Sequence, residues 1–402
     1  MLPISARISC DGQSGLNGFA LAMAYQAPKG AYLQFRVREL TLQSMWKSTE
    51  VTRRLKLDVP IVQGPFGSGL SAVDLVVAVS EGGGLGSFGV HHLDGTGIRA
   101  IDAQIRTRTQ RTFALNLWIP LGDSDNPQVT DAQWKAAVDL LRPYFDELRV
   151  PLPSRPARFG PRYQEQVETL LELRPPVFSF VFGVPTPDVL DRCRSAGIAT
   201  LGVATTPAEA KVLEDAGVDM IVASGFEAGG HRASFLREPE ECLTGILALI
   251  PQVVDTVKVP VIAAGGMVDG RGIAAALKLG AAAAQIGTAF LACEESNASP
   301  LHRAKLFSTD ARRTTLTRAF TGRLARSIHN GLIDALRGKE SALAPYPVQA
   351  WLTAQLKAAA LAANRDDVIS LWSGQGAPLL KHRRATELLH SLVIGTDEVM
   401  HT

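Results

Sequence analysis

From Leu57 onward, short apolar runs alternate with amphipathic stretches, a rhythm that predicts βαβ units around a parallel sheet. The first run is Pro60–Gln63, followed by a predicted helix over Ser71–Ser80. A second run, Gly84–Val90, leads into a predicted helix from Leu93 to Thr107. Phe113–Trp118 is the third, apolar on both faces as a strand covered on both sides requires. Further strands are predicted at Val177–Phe182, Ile198–Val203, Asp219–Ala223, Val259–Ala264 and Ala283–Thr288. Helices open near Pro187, Pro207, Glu238 and Gly270, with Pro and Gly at boundaries.

Eight strand-and-helix units close a barrel, so the predicted class is an α/β TIM (β/α)8 barrel with a C-terminal helical segment. An open doubly wound sheet usually has fewer strands and gathers its glycines in the first βα turn. Here glycines punctuate the ends of the first, sixth, seventh and eighth strands. The barrel is assigned to residues 51–296, with a proline-rich excursion at 121–161, containing Trp134, over one mouth. Residues 297–402, where the β signal stops, read as helices and loops packing on the barrel, with a closing helix over Thr386–Leu392. Residues 1–50 read as a poorly ordered extension, and Met45-Trp-Lys-Ser-Thr as an alternative start.

Composition narrows the function classes. Hydrophobic residues make up 46%, charged residues 20%, and the formal net charge is +2, without the clustered basic excess of a nucleic-acid protein. The basic runs Arg106–Arg111 and Arg312-Arg313 read first as solvated helix faces. Four scattered cysteines without a C-x-x-C pair argue against a disulfide scaffold or a structural zinc site, and fit a reducing cytoplasm. No uninterrupted apolar run is long enough to span a membrane, and no metal site is predicted.

A barrel builds its site from the loops after its strands. Those positions hold Gln63-Gly64-Pro65-Phe66, Asn116, Ser224-Gly-Phe-Glu-Ala-Gly-Gly-His231, Gly265-Gly266-Met267 and Gln285-Ile286-Gly287-Thr288. Glycines at the last two strand ends let backbone amides face an anion, which suits phosphate. Gln63 and Asn116 are either satisfied core amides or contacts to a polar cofactor edge. His231 is the catalytic candidate among 8 histidines, because a glycine-rich loop presents it at a strand end and imidazole moves protons near neutrality. The other histidines, including His91 and His92, lack a supporting constellation. Glu227 either orients His231 or braces its loop, and Arg232 either attracts an anionic substrate or points to solvent.

The blocks Gly225–Arg232, Ile262–Gly270 and Gln285–Leu291 resemble the nitronate monooxygenases over roughly residues 55–300, and the tail more loosely. The resemblance implies non-covalent FMN in a TIM barrel and oxidation of alkyl nitronates by molecular oxygen to a carbonyl compound and nitrite. It makes Gly64, Pro65 and Phe66 flavin contacts, sets Asn116 beside the ring system, and gives Gly229, Gly265, Gly266, Gln285, Ile286, Gly287 and Thr288 to the ribityl phosphate region. His231 becomes the base for neutral nitroalkanes. Relatives often carry Gln where this chain has Ser224, and Ala and Met in place of Gly64 and Phe66. Trp372–Gly376 resembles a segment that folds back near the site. The alternative is an FMN-dependent enoyl-thioester reductase using NAD(P)H, which shares the glycine-rich blocks. A dehydrogenase of the inosine monophosphate type would need a cysteine in the loop after strand six, and Ser224–Arg237 holds none. A phosphorylated-ligand sensor is the non-enzymatic option. The implied partners are small molecules, with no nucleic acid and no membrane. The sequence does not set the oligomeric state.

Overall fold

The structure is a computed structural model that describes residues 45–120 and 126–401. Lys47–Met400 falls within one compact unit. The extension expected at 1–50 lies outside the described residues up to residue 44, as do 121–125 of the predicted excursion.

In chain order the elements are α1 (Glu50–Leu55), β1 (Ile61–Gln63), α2 (Val73–Glu81), β2 (Gly86–Gly89), α3 (Gly95–Arg108), β3 (Phe113–Trp118), α4 (Asp131–Glu147) and α5 (Tyr163–Leu173). Next come β4 (Val177–Val181), α6 (Pro187–Ala196), β5 (Ala199–Ala204), α7 (Pro207–Asp215), β6 (Met220–Ser224), β7 (Gly230–His231), α8 (Ile246–Val254), β8 (Val261–Ala264) and α9 (Gly270–Lys278). The chain ends with β9 (Ala283–Ile286), α10 (Thr288–Leu291), α11 (Pro300–Leu306), β10 (Thr314–Thr317), β11 (Ala325–Ile328), α12 (Gly331–Leu336), α13 (Val348–Ala362) and α14 (Ala385–Met400).

Eight strands run parallel in the order β1-β9-β8-β6-β5-β4-β3-β2. The seam between β1 and β2 is closed by a parallel bridge between Val62 and Leu85. There Gln63 donates to the Leu85 carbonyl and Leu85 to that of Ile61, each at 2.9 Å. The result is the expected TIM barrel. Its interior is filled by Val62, Leu85, Ala114, Leu201, Val222, Ile262 and Ala283, all buried. A covered, two-faced core of this kind is what the unbroken apolar runs required.

Helix α1 was not visible in the hydrophobic pattern, because six residues hold too little periodicity. It is set by chemistry at its ends. Thr49 and Thr52 form a reciprocal capping box, and Lys56 terminates the helix at φ 55°. Val51 and Leu55 join the barrel-interior cluster. The Leu55 and Asp219 carbonyls accept from Thr112 and Arg54, at residues that precede β3 and β6. Helix α1 therefore plugs the end opposite the strand C-termini.

Two expectations need correction. The helix predicted to open near Glu238 is only a 3-10 turn at Pro239–Glu241, and α8 starts at Ile246. Residues 297–402 are not purely helical. β10 pairs antiparallel with β11, and β11 pairs with β7, so a three-stranded sheet reaches back to Gly230 and His231. Four-residue polar strands such as Thr314–Thr317 bury no alternating face, so no apolar pattern announced them.

The excursion folds as α4, opened by a capping box between Thr130 and Gln133. It packs on α13 through Trp134 and Trp351, whose rings lie 6.1 Å apart. Its apolar face shares one core cluster with Leu70, Leu291 and Trp372. A Leu55→Ala substitution should leave the barrel folded and cost about 2–4 kcal/mol, read as a lowered urea midpoint, since it opens a cavity at the plugged end.

Candidate active site

The C-terminal strand ends surround a cleft of about 1300 Å³, open mouth included. Of the sequence candidates, Gly64, Pro65, Phe66, Asn116, Ser224, Gly229, His231, Gly265, Gly266, Gln285, Gly287 and Thr288 line it. Ile286 does not. Side chains alternate along β9, so Gln285 faces the cleft while Ile286 packs into the core with Ile61 and Ala284, and only its carbonyl serves the site by accepting from Gly64 at 3.0 Å.

The loop after β6 is built around Arg232. This residue is 0% exposed, so it neither meets solvent nor reaches for substrate. Its guanidinium donates to the Gly225 carbonyl at 2.6 Å and to the Ser224 and Cys242 carbonyls at 3.0 Å. Burial lowers its pKa to about 10, which still leaves it protonated at neutral pH. Glu227 braces the same loop, accepting from the Ile246 backbone at 2.9 Å, whereas His231 has its hydrogen bond with Thr321. Gly229 passes so close to the Trp372–Gly376 segment that a Cβ there would lie 2.6 Å from the Gly374 nitrogen. Gln375 donates to the Glu227 carbonyl at 2.9 Å, and Gly374 to the Thr288 hydroxyl at 2.8 Å. The segment thus folds back onto the site.

The turn after β8 runs through Gly265 at φ 124° and Gly266 at φ 68°, a backbone that L side chains rarely adopt. Thr288 accepts from Gly374, so its own hydroxyl proton is free for the cleft. Asn116 donates to Ser179 at 3.0 Å, across directly paired positions of β3 and β4. Ser224 and Gln285 line the cleft with side chains that make no hydrogen bond among the described residues. Gln63 proves to be a satisfied core amide. It is 0% exposed, accepts from Ser87 at 2.8 Å and donates to the Gly64 carbonyl.

His231 sits among rings. Trp118, Tyr346, Trp372 and Phe182 have centroids 5.1, 5.7, 5.6 and 5.8 Å from its own. Its Nε2 lies 3.0 Å from the Thr321 hydroxyl. Burial, and then the positive charge of Arg323, lower its pKa to about 3, so the imidazole is neutral at physiological pH. His91 also belongs to this region, contrary to expectation. It stacks on Trp118 at 3.6 Å, and burial first, then the neighbouring His92 and His231, hold its pKa well below the ordinary histidine value. Trp118 was legible, since it follows Asn116 by two residues on the same strand face. Ser179, Phe182, Thr321, Tyr346 and His91 carried no such signal.

The sequence profile described as nitronate monooxygenase matches residues 48–395. The chain belongs to the nitronate monooxygenase family. A Staphylococcus aureus protein (strain Newman) named "Probable nitronate monooxygenase" is 34% identical over 357 residues, covering 89% of this chain and 99% of that one. The solved nitroalkane oxidase from Streptomyces ansochromogenes superposes with a TM-score of 0.80 at 37% identity, over 87% of this chain and 99% of that one. FabK from Thermotoga maritima follows at 0.68 and 25%, over 88% and 97%. With this family membership the enzyme is an oxidoreductase. Among the described residues no helix is long and apolar enough to cross a membrane, and no His, Cys, Asp or Glu cluster could hold a metal ion.

The buried His302 and the half-buried, ring-enclosed His231 make the fold acid-sensitive. His302, which pairs its Nε2 with the Trp372 carbonyl at 3.0 Å, is lowered to about 4 by burial, and His231 to about 3. Below about pH 6.5 the unfolded chain binds protons that the folded one refuses, so stability is full above that value. It falls as pH drops from there, toward about 4 for His302 and about 3 for His231. A melting temperature lower at about pH 5 than at about pH 7.5, with a shallower slope in His302→Gln, is the expected result. Arg232→Ala should destabilise by about 3 kcal/mol or more in denaturant titrations, because three buried carbonyls lose their donor.

Proposed function

We propose that this enzyme binds FMN in the cleft and oxidises alkyl nitronates with molecular oxygen to a carbonyl compound and nitrite. The observation that carries the reading is a neutral, ring-enclosed His231 in the same cleft as a positive-φ glycine turn at Gly265–Gly266. The donor set fits a phosphorylated flavin. Backbone amides at Gly265, Gly266 and Gly287 and the free Thr288 proton suit a phosphate. Asn116, Ser224 and Gln285 suit the polar edge of a ring system, and Gly64, Pro65, Phe66 and Gly229 allow close approach. The chemistry supplied by bound FMN is the passage of electrons from nitronate to oxygen.

The chain's own contribution is to position substrate and manage one proton. Trp118, Phe182, Tyr346 and Trp372 wall the space around His231 and limit water there. For a neutral nitroalkane, His231 takes the α-proton. The nitronate formed beside the new imidazolium is an opposite charge that stabilises it, offsetting the burial that makes the imidazole a weak base alone. A preformed nitronate needs no base. The activity belongs in the cytoplasm, in keeping with the free, buried thiols of Cys193, Cys242 and Cys293.

The purified protein should absorb in the flavin bands and release nitrite from ethyl nitronate or propionate 3-nitronate in air. Consumption of NADH with an enoyl thioester, and no nitrite, would replace this reading with a reductase. His231→Asn should keep the flavin spectrum, lower turnover of nitroethane by about 10²–10⁴-fold, and affect ethyl nitronate far less. Because His231 is already neutral well below the ordinary histidine range, kcat/KM for nitroethane should stay level from about pH 5 to about pH 8.

A further inference from the structure

The base role of His231 leaves open which ring nitrogen receives the proton, and the hydrogen-bond network around Thr321 decides it. Thr321 is 5% exposed and lies between β10 and β11. Its Oγ1 meets three groups: the Arg323 carbonyl at 3.0 Å, the Arg323 backbone N–H at 3.3 Å and His231 Nε2 at 3.0 Å. The N–H only donates and the carbonyl only accepts. A hydroxyl has one proton to give and two lone pairs to receive with. Among the described residues no other donor reaches the Arg323 carbonyl, so the Thr321 proton goes there. One lone pair takes the Arg323 N–H. With its one proton committed, Oγ1 can only accept from the group facing its remaining lone pair, which is His231 Nε2.

We infer that Thr321 is a positioning residue that locks His231 in the Nε2–H tautomer, so that Nδ1 presents its lone pair to the cleft as the proton-accepting atom. This rests on the proposed base role for its catalytic meaning, but the tautomer itself is a property of this chain alone. Nδ1 makes no hydrogen bond to a described residue and is not among the buried unpaired atoms, while the His231 side chain lines the cleft. The backbone holds the arrangement in register. His231 pairs with Ala325 across β7 and β11, and Arg232 donates to the Leu324 carbonyl at 2.9 Å, so both neighbours of the contact are tied to the chain just beyond Thr321. The groups that face His231 and carry charge or titrate are Arg323, His91 and Tyr346. Arg323 stacks over Phe182 at 4.5 Å and donates to the Arg232 and Ser234 carbonyls, so it adds positive charge without supplying a proton acceptor that competes with Thr321. Tyr346, its hydroxyl proton retained because burial raises its pKa, carries no charge at neutral pH.

The test is a ¹⁵N NMR spectrum of the full chain labelled at histidine, with the His231 signals identified by their loss in His231→Asn. The wild type should show a protonated, pyrrole-type Nε2 and an unprotonated, pyridine-type Nδ1 near neutral pH. The reverse pattern overturns the inference whatever the activity. Thr321→Val should mix the tautomers and lower kcat for nitroethane by about 10- to 100-fold, part of what a positioned base contributes, with KM and ethyl nitronate turnover little changed. Thr321→Ser should restore both the spectrum and kcat. Equal losses on nitroethane and nitronate in Thr321→Val would mean a merely structural threonine and would also overturn the inference. A wild-type Nε2–H pattern together with a fully active His231→Asn would instead defeat the base role while leaving the tautomer assignment standing.

Discussion

The guanidinium of Arg232 is the interaction on which the rest of the site depends. Burying a cation is costly unless it is paired, and here three main-chain carbonyls from Ser224, Gly225 and Cys242 take its two terminal amino groups, while Nε is left without a partner among the described residues. Those carbonyls belong to the end of β6, the start of the glycine-rich loop and the turn before α8. One side chain therefore ties together the three stretches of chain that must converge for the loop to leave the barrel at a fixed angle. Glu209, itself fully buried and saturated by the Thr205 and Phe235 backbone, adds a compensating negative charge nearby. The neighbouring residue is His231, so the placement of the imidazole is inherited from the placement of the cation.

Around that anchor the two halves of the cleft have different origins. The anion-compatible half is mostly main chain, a glycine turn after β8 and the start of α10, joined by the Thr288 hydroxyl, which already accepts from Gly374. The half around His231 is side chain and almost entirely aromatic, contributed by β3, the end of β4, and the segments before α13 and after it. Main-chain donors cannot be mutated away one by one, whereas rings can be exchanged for other shapes. The first half suits a constant group and the second a variable one.

The barrel was readable because its signal is periodic. Two-sided burial leaves strands such as Phe113–Trp118 almost wholly apolar, and Gly and Pro mark the turns between them. Topology gave the strand ends and the family resemblance gave the site residues among them; all of those assigned residues but Ile286 line the cleft, while Gln63 at the first strand end is turned into the core. Ile286 failed on parity, a single step along a strand. Arg232 was misread because a charged residue in a loop is ordinarily solvated, and nothing local reveals three carbonyls brought together by folding. Thr321, Tyr346 and His91 were invisible for a related reason. Each becomes functional only through a neighbour far away in the chain, and Thr321 lies 90 residues from its histidine.

That separation matters most for the small sheet of β7, β11 and β10. The barrel's own eight strands are complete by Ile286, yet among the described residues the short strand bearing His231 finds its strand partner only in Ala325 and Arg326, and Gln375 adds a further bond to its loop at the Glu227 carbonyl. During synthesis, then, a closed barrel can exist on the ribosome before the histidine has a defined orientation. The setting of His231 is therefore completed last, by the tail, and the order of translation is also the order in which the cleft acquires its walls.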